Sequence, residues 1–282
     1  MDLFYCTNAI NYTVACGVLA RAPRRAVLVY ERRRFGVRQL PGVWQLPISA
    51  NAGRLMQWLA WLRPFGTVHV PHPKVAKRFV PVLAGARRVA YLDDGLDTLR
   101  EKPGNFDLAQ LPTGRSYYTF DDYAELPAWL RGFNVERVCR LHDVLQTARA
   151  PRADLSRWPH VFIESPGLDV PALCRAMQLD PAHVLVIRHP VPHKQGPVPE
   201  GCSTIAGNTI DSEGSLLAGS GQQIWCGETM VFFLLLHAGA ADRHRLWLHM
   251  DDARWAGLHG LPAMTAEALP GVRGRVAHIG AA

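Results

Sequence analysis

"LFYCTNAINYTVACGVLARAPRRAVLVYE" (residues 3–31) sets two apolar runs of strand length on either side of a segment with helical spacing. Within that segment Ile10, Val14, Cys16, Val18 and Leu19 give a helix an apolar side, whereas LFYCT and RAVLVYE are rich in strand formers. A strand, a helix and a second strand of these lengths predict a parallel βαβ unit.

The rhythm continues outward. AGRLMQWLAWLRPF (52–65) reads as a helix, TVHVP (67–71) as a strand, KVAKRFVPVLAG (74–85) as a helix interrupted by Pro81, and RRVAYLDD (87–94) as a strand. From about 103 to 157 it breaks: Pro103, Pro112, Gly114, Pro127, Gly132 and Pro151 intervene, and only ERVCRLHDVLQTARA (136–150) reads as a helix. It then resumes with the strand HVFIES (160–165), the helix DVPALCRAMQL (169–179), the strand HVLVIRHP (183–190) and the segment EGSLLAGS (213–220). The strand QQIWCG (222–227), the helix ETMVFFLLLHAG (228–239) and the strand RLWLHM (245–250) follow. The expectation is an α/β chain of two doubly wound halves, 1–150 and 151–282, separated by an irregular stretch.

Composition narrows the function classes. With 282 residues, of which 48% are hydrophobic, the chain can bury a large core. Its six cysteines show no C-x-x-C pair and no His at zinc-finger spacing, so neither a metal site nor a disulfide framework is indicated, and a reduced, cytoplasmic setting is the default. The N-terminus carries Asp2 where a signal peptide needs basic residues, and Asn8, Asn11 and Thr13 interrupt its apolar run. LMQWLAWL and MVFFLLLHAG fall short of the roughly 20 residues that span a bilayer. A net charge of +7 suits an anionic partner, but the arginines are spread widely, and Arg21 to Arg38, the one dense run, reads first as a solvated rim. No recognition-helix, RNP or zinc-finger pattern accompanies it, so nucleic acid is not expected as a partner.

In open parallel sheets ligands sit beyond the carboxyl ends of the strands. Four segments occupy such positions: Cys6–Asn11, Asp93-Asp94-Gly95, His189-Pro190 and Gly227-Glu228-Thr229. Adjacent carboxylates at a strand end point different ways, so one can act as a general base while the other caps a turn that Gly95 makes tight. His189, with Arg188, His193 and Lys194 beside it, suits an anionic leaving group. Gly227 and Thr229 open a helix whose N-terminus can hold a phosphate. Each segment also has a plain structural reading: an acidic turn, a histidine at a strand end, a helix cap. A second His-Pro, His72-Pro73, shows how little the dipeptide says alone.

Taken in order, these segments resemble the bacterial GT-B sialyltransferases, including the lipooligosaccharide sialyltransferases and polysialyltransferases, whose motifs are D/E-D/E-G, H-P and a late S-S/T. Here the first is Asp93-Asp94-Gly95, the second His189-Pro190, and the third aligns with Glu228-Thr229, while LFYCTNAIN is similar to the family's first strand and loop. Glu228 departs from the expected first Ser, and Arg188 stands where a Lys or a Pro-containing lead-in is common.

The resemblance implies a GT-B-like fold, two Rossmann-like domains facing a central cleft, with an N-terminal acceptor-side domain and a C-terminal CMP domain. It implies an inverting, metal-independent transfer of sialic acid, or a related 2-keto sugar acid, from a CMP donor to a glycan or glycolipid hydroxyl, without a cofactor. Asp93 or Asp94 would be the base, with Asp93 preferred and Asp94 then the turn anchor, and His189 the group that meets the departing phosphate. Arg188, Pro190, Gly227, Glu228 and Thr229 would face the donor, and Thr7, Asn8, Asn11 and Gly95 the acceptor. A GT-B enzyme with another nucleotide-sugar donor and a catalytically silent nucleotide- or glycan-binding member are the alternatives. LMQWLAWLRPF, with Trp58 and Trp61, reads either as a packed βαβ helix or as a helix lying on the inner membrane beside a lipid-linked acceptor.

Overall fold

A computed structural model describes residues 1–31, 35–48, 65–73, 86–95, 98, 115–123, 126–147, 154–190, 192–207, 209–227, 229–250 and 266–280. The expected helix at 52–65, all but Phe65, the expected helix at 74–85, Trp58, Trp61 and Glu228 lie outside the described residues. The chain divides into two compact units, Met1–Thr147 and Ala148–Ala282, each built on a mostly parallel sheet.

In the first unit β1 (Asp2–Cys6) leads into α1 (Ala9–Arg21) and β2 (Ala26–Glu31), the βαβ unit expected from the sequence. Then come β3 (Val43–Ile48), β4 (Thr67–Pro71), β5 (Arg88–Leu92), β6 (Ser116–Phe120) and β7 (Asn134–Cys139), all parallel, in the order β3-β2-β1-β4-β5-β6-β7. β1 is buried along its whole length, as a central strand covered on both faces must be. Leu3 and Tyr5, Val27 and Val29, Val68 and Val70, Val89 and Tyr91 fill one face of the core. Each buried aliphatic side chain contributes about 1.5–3 kcal/mol. α1 starts at a reciprocal cap: Asn8 Oδ1 accepts from Asn11 N at 3.0 Å, and Asn11 Oδ1 accepts from Asn8 N at 3.2 Å. Gly17 lets the helix press on β7, since a Cβ there would stand 2.8 Å from the Val138 carbonyl oxygen.

The expected irregular stretch is corrected here. It supplies β6 and β7, and ERVC (136–139) ends a strand instead of starting a helix; of the expected helix Leu141–Thr147 winds as 3₁₀ turns, as does Ala128–Gly132 before β7. β7 is an edge strand with Asn134 and Glu136 exposed, so its polar residues and its Val135/Val138 spacing imitate a helix.

The second unit runs β8 (His160–Ile163), α2 (Val170–Ala176), β9 (Val184–Ile187), β10 (Ser203–Ile205), α3 (Thr209–Leu216), β11 (Gln223–Cys226), α4 (Met230–His237), β12 (Arg245–Met250), β13 (Ala266–Glu267) and β14 (Arg275–Gly280). The sheet order is β10-β9-β8-β11-β12-β14-β13, with β14 antiparallel to both neighbours. EGSLLAGS overlaps α3. Phe162, Trp225 and Trp247 stack across three adjacent strands at centroid spacings of 5.3 and 4.5 Å, and His278 on the fourth lies tilted at 4.7 Å from Trp247.

Both sheets grow first to one side of their opening strand and then to the other. This is the order of a doubly wound, Rossmann-like sheet, and it leaves a switch point between β1 and β4 and another between β8 and β11. Among the described residues no helix is long and apolar enough to cross a membrane.

Candidate active site

At the carboxyl end of the first sheet, Asp93 follows β5 and is fully buried. Its Oδ1 accepts from the Gly95 N–H at 2.6 Å and the Thr98 hydroxyl at 2.7 Å, with the Tyr123 hydroxyl at 3.5 Å, and its Oδ2 accepts from the Thr119 hydroxyl. Thr98 Oγ1 also lies 2.8 Å from the Tyr117 hydroxyl, which extends the buried chain. Burial pushes the Asp93 carboxyl up to about 7, with the Asp94 charge adding to the rise, against the lowering effect of the Thr119, Thr98 and Gly95 hydrogen bonds.

Asp94 is half-buried, and its Oδ1 accepts from Asn8 Nδ2 at 2.6 Å and Asn11 Nδ2 at 2.9 Å. The two cap residues of α1 therefore reach from the end of β1 across to the end of β5. Asn11 also holds Thr7, accepting from its N–H at 2.9 Å and donating to its hydroxyl at 3.4 Å.

Thr7, Asn8, Asn11, Asp94 and Gly95 are thus brought together beside the first switch point. Of the two carboxylates it is Asp93, however, that accepts from the turn N–H, and Gly95, at φ +86 and buried, belongs to that turn. The residue before the glycine was expected to be the anchor. An Asx turn closes from a side chain to the N–H two residues on, which favours Asp93.

In the second unit β8 is followed by Glu164, which is buried and is not among the expected site residues. Its Oε2 accepts from the His189 N–H at 2.7 Å and its Oε1 from the Gly196 N–H at 2.6 Å. Arg188 Nε lies 3.1 Å from Oε2, and its Nη2 donates to the Gly196 carbonyl at 3.0 Å and to Gln195 Oε1 at 3.3 Å. Gln195 closes the ring by donating to the His189 carbonyl at 2.7 Å. Arg188 is engaged in building the His-Pro turn, whereas the His189 side chain is half-buried and Pro190 exposed. Gly207 backs this turn so closely that a Cβ would stand 1.6 Å from the Arg188 carbonyl oxygen.

Across the second switch point Gly227 follows β11, and a Cβ on it would stand 2.1 Å from Ser165 Oγ. Ser165 is buried, and its hydroxyl has no hydrogen-bond partner among the described residues. The same holds for Thr229 Oγ1, although Thr229 is the N-cap residue of α4 and its side chain caps nothing. An unsatisfied buried hydroxyl costs about 1–3 kcal/mol. Two of them beside a helix N-terminus suit an anion that would take both hydrogen bonds.

Glu164 and Ser165 could have been found by the rule that singled out the other segments, since they end the apolar run HVFI. Thr98, Thr119 and Tyr123 carried no signal, because nothing local links them to Asp93. Among the described residues no group of His, Cys, Asp or Glu is arranged to hold a metal ion. Compared with known proteins, the chain matches no protein-family model and no curated relative.

Proposed function

We propose that the chain is an inverting glycosyltransferase that moves sialic acid, or a related 2-keto sugar acid, from a CMP ester to a glycan or glycolipid hydroxyl. The observation that carries the reading is the split of the carboxylate pair. One is sealed in a cage of donors, while its neighbour is presented half-buried on two asparagine amides at a sheet switch point. Asp94 takes the proton of the acceptor hydroxyl as that oxygen attacks the anomeric carbon. Asp93, inaccessible behind it, fixes the turn.

At the other end of the breaking bond the CMP phosphate gathers charge. His189 meets it there, and Ser165 Oγ, Thr229 Oγ1 and the first N–H groups of α4 take its oxygens. Such donors are worth most when already oriented, and Glu164 orients the His189 backbone. Glycosyl transfer by this route needs no metal, since a monophosphate departs with a proton donor and a helix dipole. The GT-B arrangement, two Rossmann-like domains facing a central cleft, belongs to this reading. So do the acceptor role of the first unit, the donor role of the second and a cytoplasmic site of action, with or without contact to the inner membrane.

Titrating CMP, UDP and GDP against the purified chain while following thermal unfolding tests the donor class. A shift with CMP alone is expected. A shift with UDP or GDP alone would replace the donor, and no shift with any of them would remove the nucleotide site.

A further inference from the structure

The strands of the first sheet all run parallel, so they begin at one edge. Arginines crowd that edge. Arg21 ends α1 and Arg25 precedes β2, Arg87 precedes and Arg88 opens β5, Arg115 precedes β6, and Arg131 lies in the 3₁₀ turns before β7. All but the half-buried Arg115 are exposed, and none of them forms an ion pair among the described residues. Trp44 stands on the outermost strand, β3, two residues on from the level of Arg25, and is 71% exposed.

The acids of this unit gather at the opposite edge. Glu31 ends β2, Asp93 and Asp94 follow β5, and Asp121 and Asp122 follow β6. At the amino edge the described acids are Asp2, whose carboxylate takes Arg24 at 3.0 Å, and Glu136, the third residue of β7. The first unit is therefore polarised along its strands, positive where they start and negative where they end. Neighbouring strands lie about 4.8 Å apart, so the row from Arg25 on β2 to Arg131 before β7 spans about 24 Å. A row that broad, carried on separate turns, suits a plane of negative charge, whereas a single nucleic-acid strand is followed along one groove.

We propose that this amino edge docks on an anionic lipid bilayer, with the arginines on lipid phosphates and Trp44 at the level of the headgroups. The same surface repels the acidic carboxyl end, so the sheet stands on its amino edge. Asp94, beyond the far end of the five-residue β5, is then held about 16 Å or more from the lipid. The surface stands on its own charge distribution and does not rest on the transfer reading.

The test floats the full chain with vesicles of phosphatidylcholine alone or with about 30% phosphatidylglycerol. Binding to the anionic vesicles alone is expected, with release in about 1 M sodium chloride, where the screening length falls to about 3 Å. An arginine near the surface is worth about fivefold in partitioning, so Arg87→Gln/Arg88→Gln should lower it about 25-fold. Arg21→Gln/Arg25→Gln, on the other side of β1, should do the same, and Trp44→Ala should lower it several-fold. The same charge change at exposed positions of the second unit, Arg157→Gln/Arg175→Gln, should leave partitioning unchanged. Equal binding to both vesicles, binding to neither, or an equal loss in the second-unit variant would each overturn the proposal. So would a thymidine oligonucleotide of about 20 nucleotides that the chain binds more tightly and that strips it from the vesicles.

Discussion

Replacing Asp93 by Asn removes a buried charge while leaving its hydrogen bonds in place. In the folded chain burial pushes the carboxyl up to about 7, from about 3.8 for an ordinary aspartate. Between those values the folded chain keeps a proton that the unfolded chain has lost. Stability therefore falls as pH rises through that window, and the full penalty is present above about 7. Three units at about 1.4 kcal/mol each come to about 4 kcal/mol. The Asn carbonyl oxygen can keep the donors from Gly95, Thr98 and Tyr123 that Oδ1 now accepts. Its NH₂ then faces the Thr119 hydroxyl, which can rotate to accept. The variant should match the parent near pH 4 and exceed it by up to about 4 kcal/mol at pH 8. Urea unfolding at several pH values, read by hydrogen exchange in peptides covering β5 and β6, measures the difference. Taking variant minus parent cancels other groups such as Asp2, whose carboxyl, despite its burial, is lowered to about 2 by bonds to His69 and Arg24. A difference that stays constant from pH 5 to 8 would refute the reasoning, and so would a variant that fails to fold at any of them.

Asp94→Asn keeps an oxygen for the amides of Asn8 and Asn11, so its melting temperature and CMP affinity should be unchanged while transfer to a verified acceptor falls by about 10²–10⁴-fold; full activity would remove its role as base. His189→Ala should lower transfer several hundred-fold, the loss of one transition-state contact worth about 3–4 kcal/mol, without unfolding the chain. Glu164→Gln should behave unlike Asp93→Asn. Both Glu164 oxygens accept from backbone N–H groups that cannot reverse, so one donor is left facing an NH₂, at a cost of about 1–3 kcal/mol in a urea melt; unchanged stability would contradict the anchoring role.

The parts of the fold legible in the sequence are those where one physical signal dominates. β1, β2, β8, β9 and β11 are short apolar runs bounded by polar residues, and central parallel strands must look that way because both faces are covered. β7 failed that test because an edge strand needs less apolar surface, and β10, only three residues long, fell in a segment rich in proline and glycine. β14 is antiparallel, and its mix of buried and exposed residues gives no sign that it pairs with a parallel sheet.

The strand-end segments were legible in position but not in which side chain turns inward, and the reason is the same in both units. Each strand end carries a buried acid that receives backbone N–H groups and so holds out a neighbour: Asp93 takes Gly95 and presents Asp94, and Glu164 takes His189 and Gly196 and presents the His189 ring. The sequence places acids at strand ends, but it does not say which side chain turns inward, because that depends on donors supplied from far along the chain. For Asp93 the deciding partners are Thr119 and Tyr123, and for Asp94 they are Asn8 and Asn11. On the proposed reading, a carboxylate walled in by four donors cannot meet an acceptor hydroxyl, whereas one held half-buried on two asparagine amides can. Burial and donor count, more than adjacency to glycine, therefore decide which member of such a pair is sealed and which is presented.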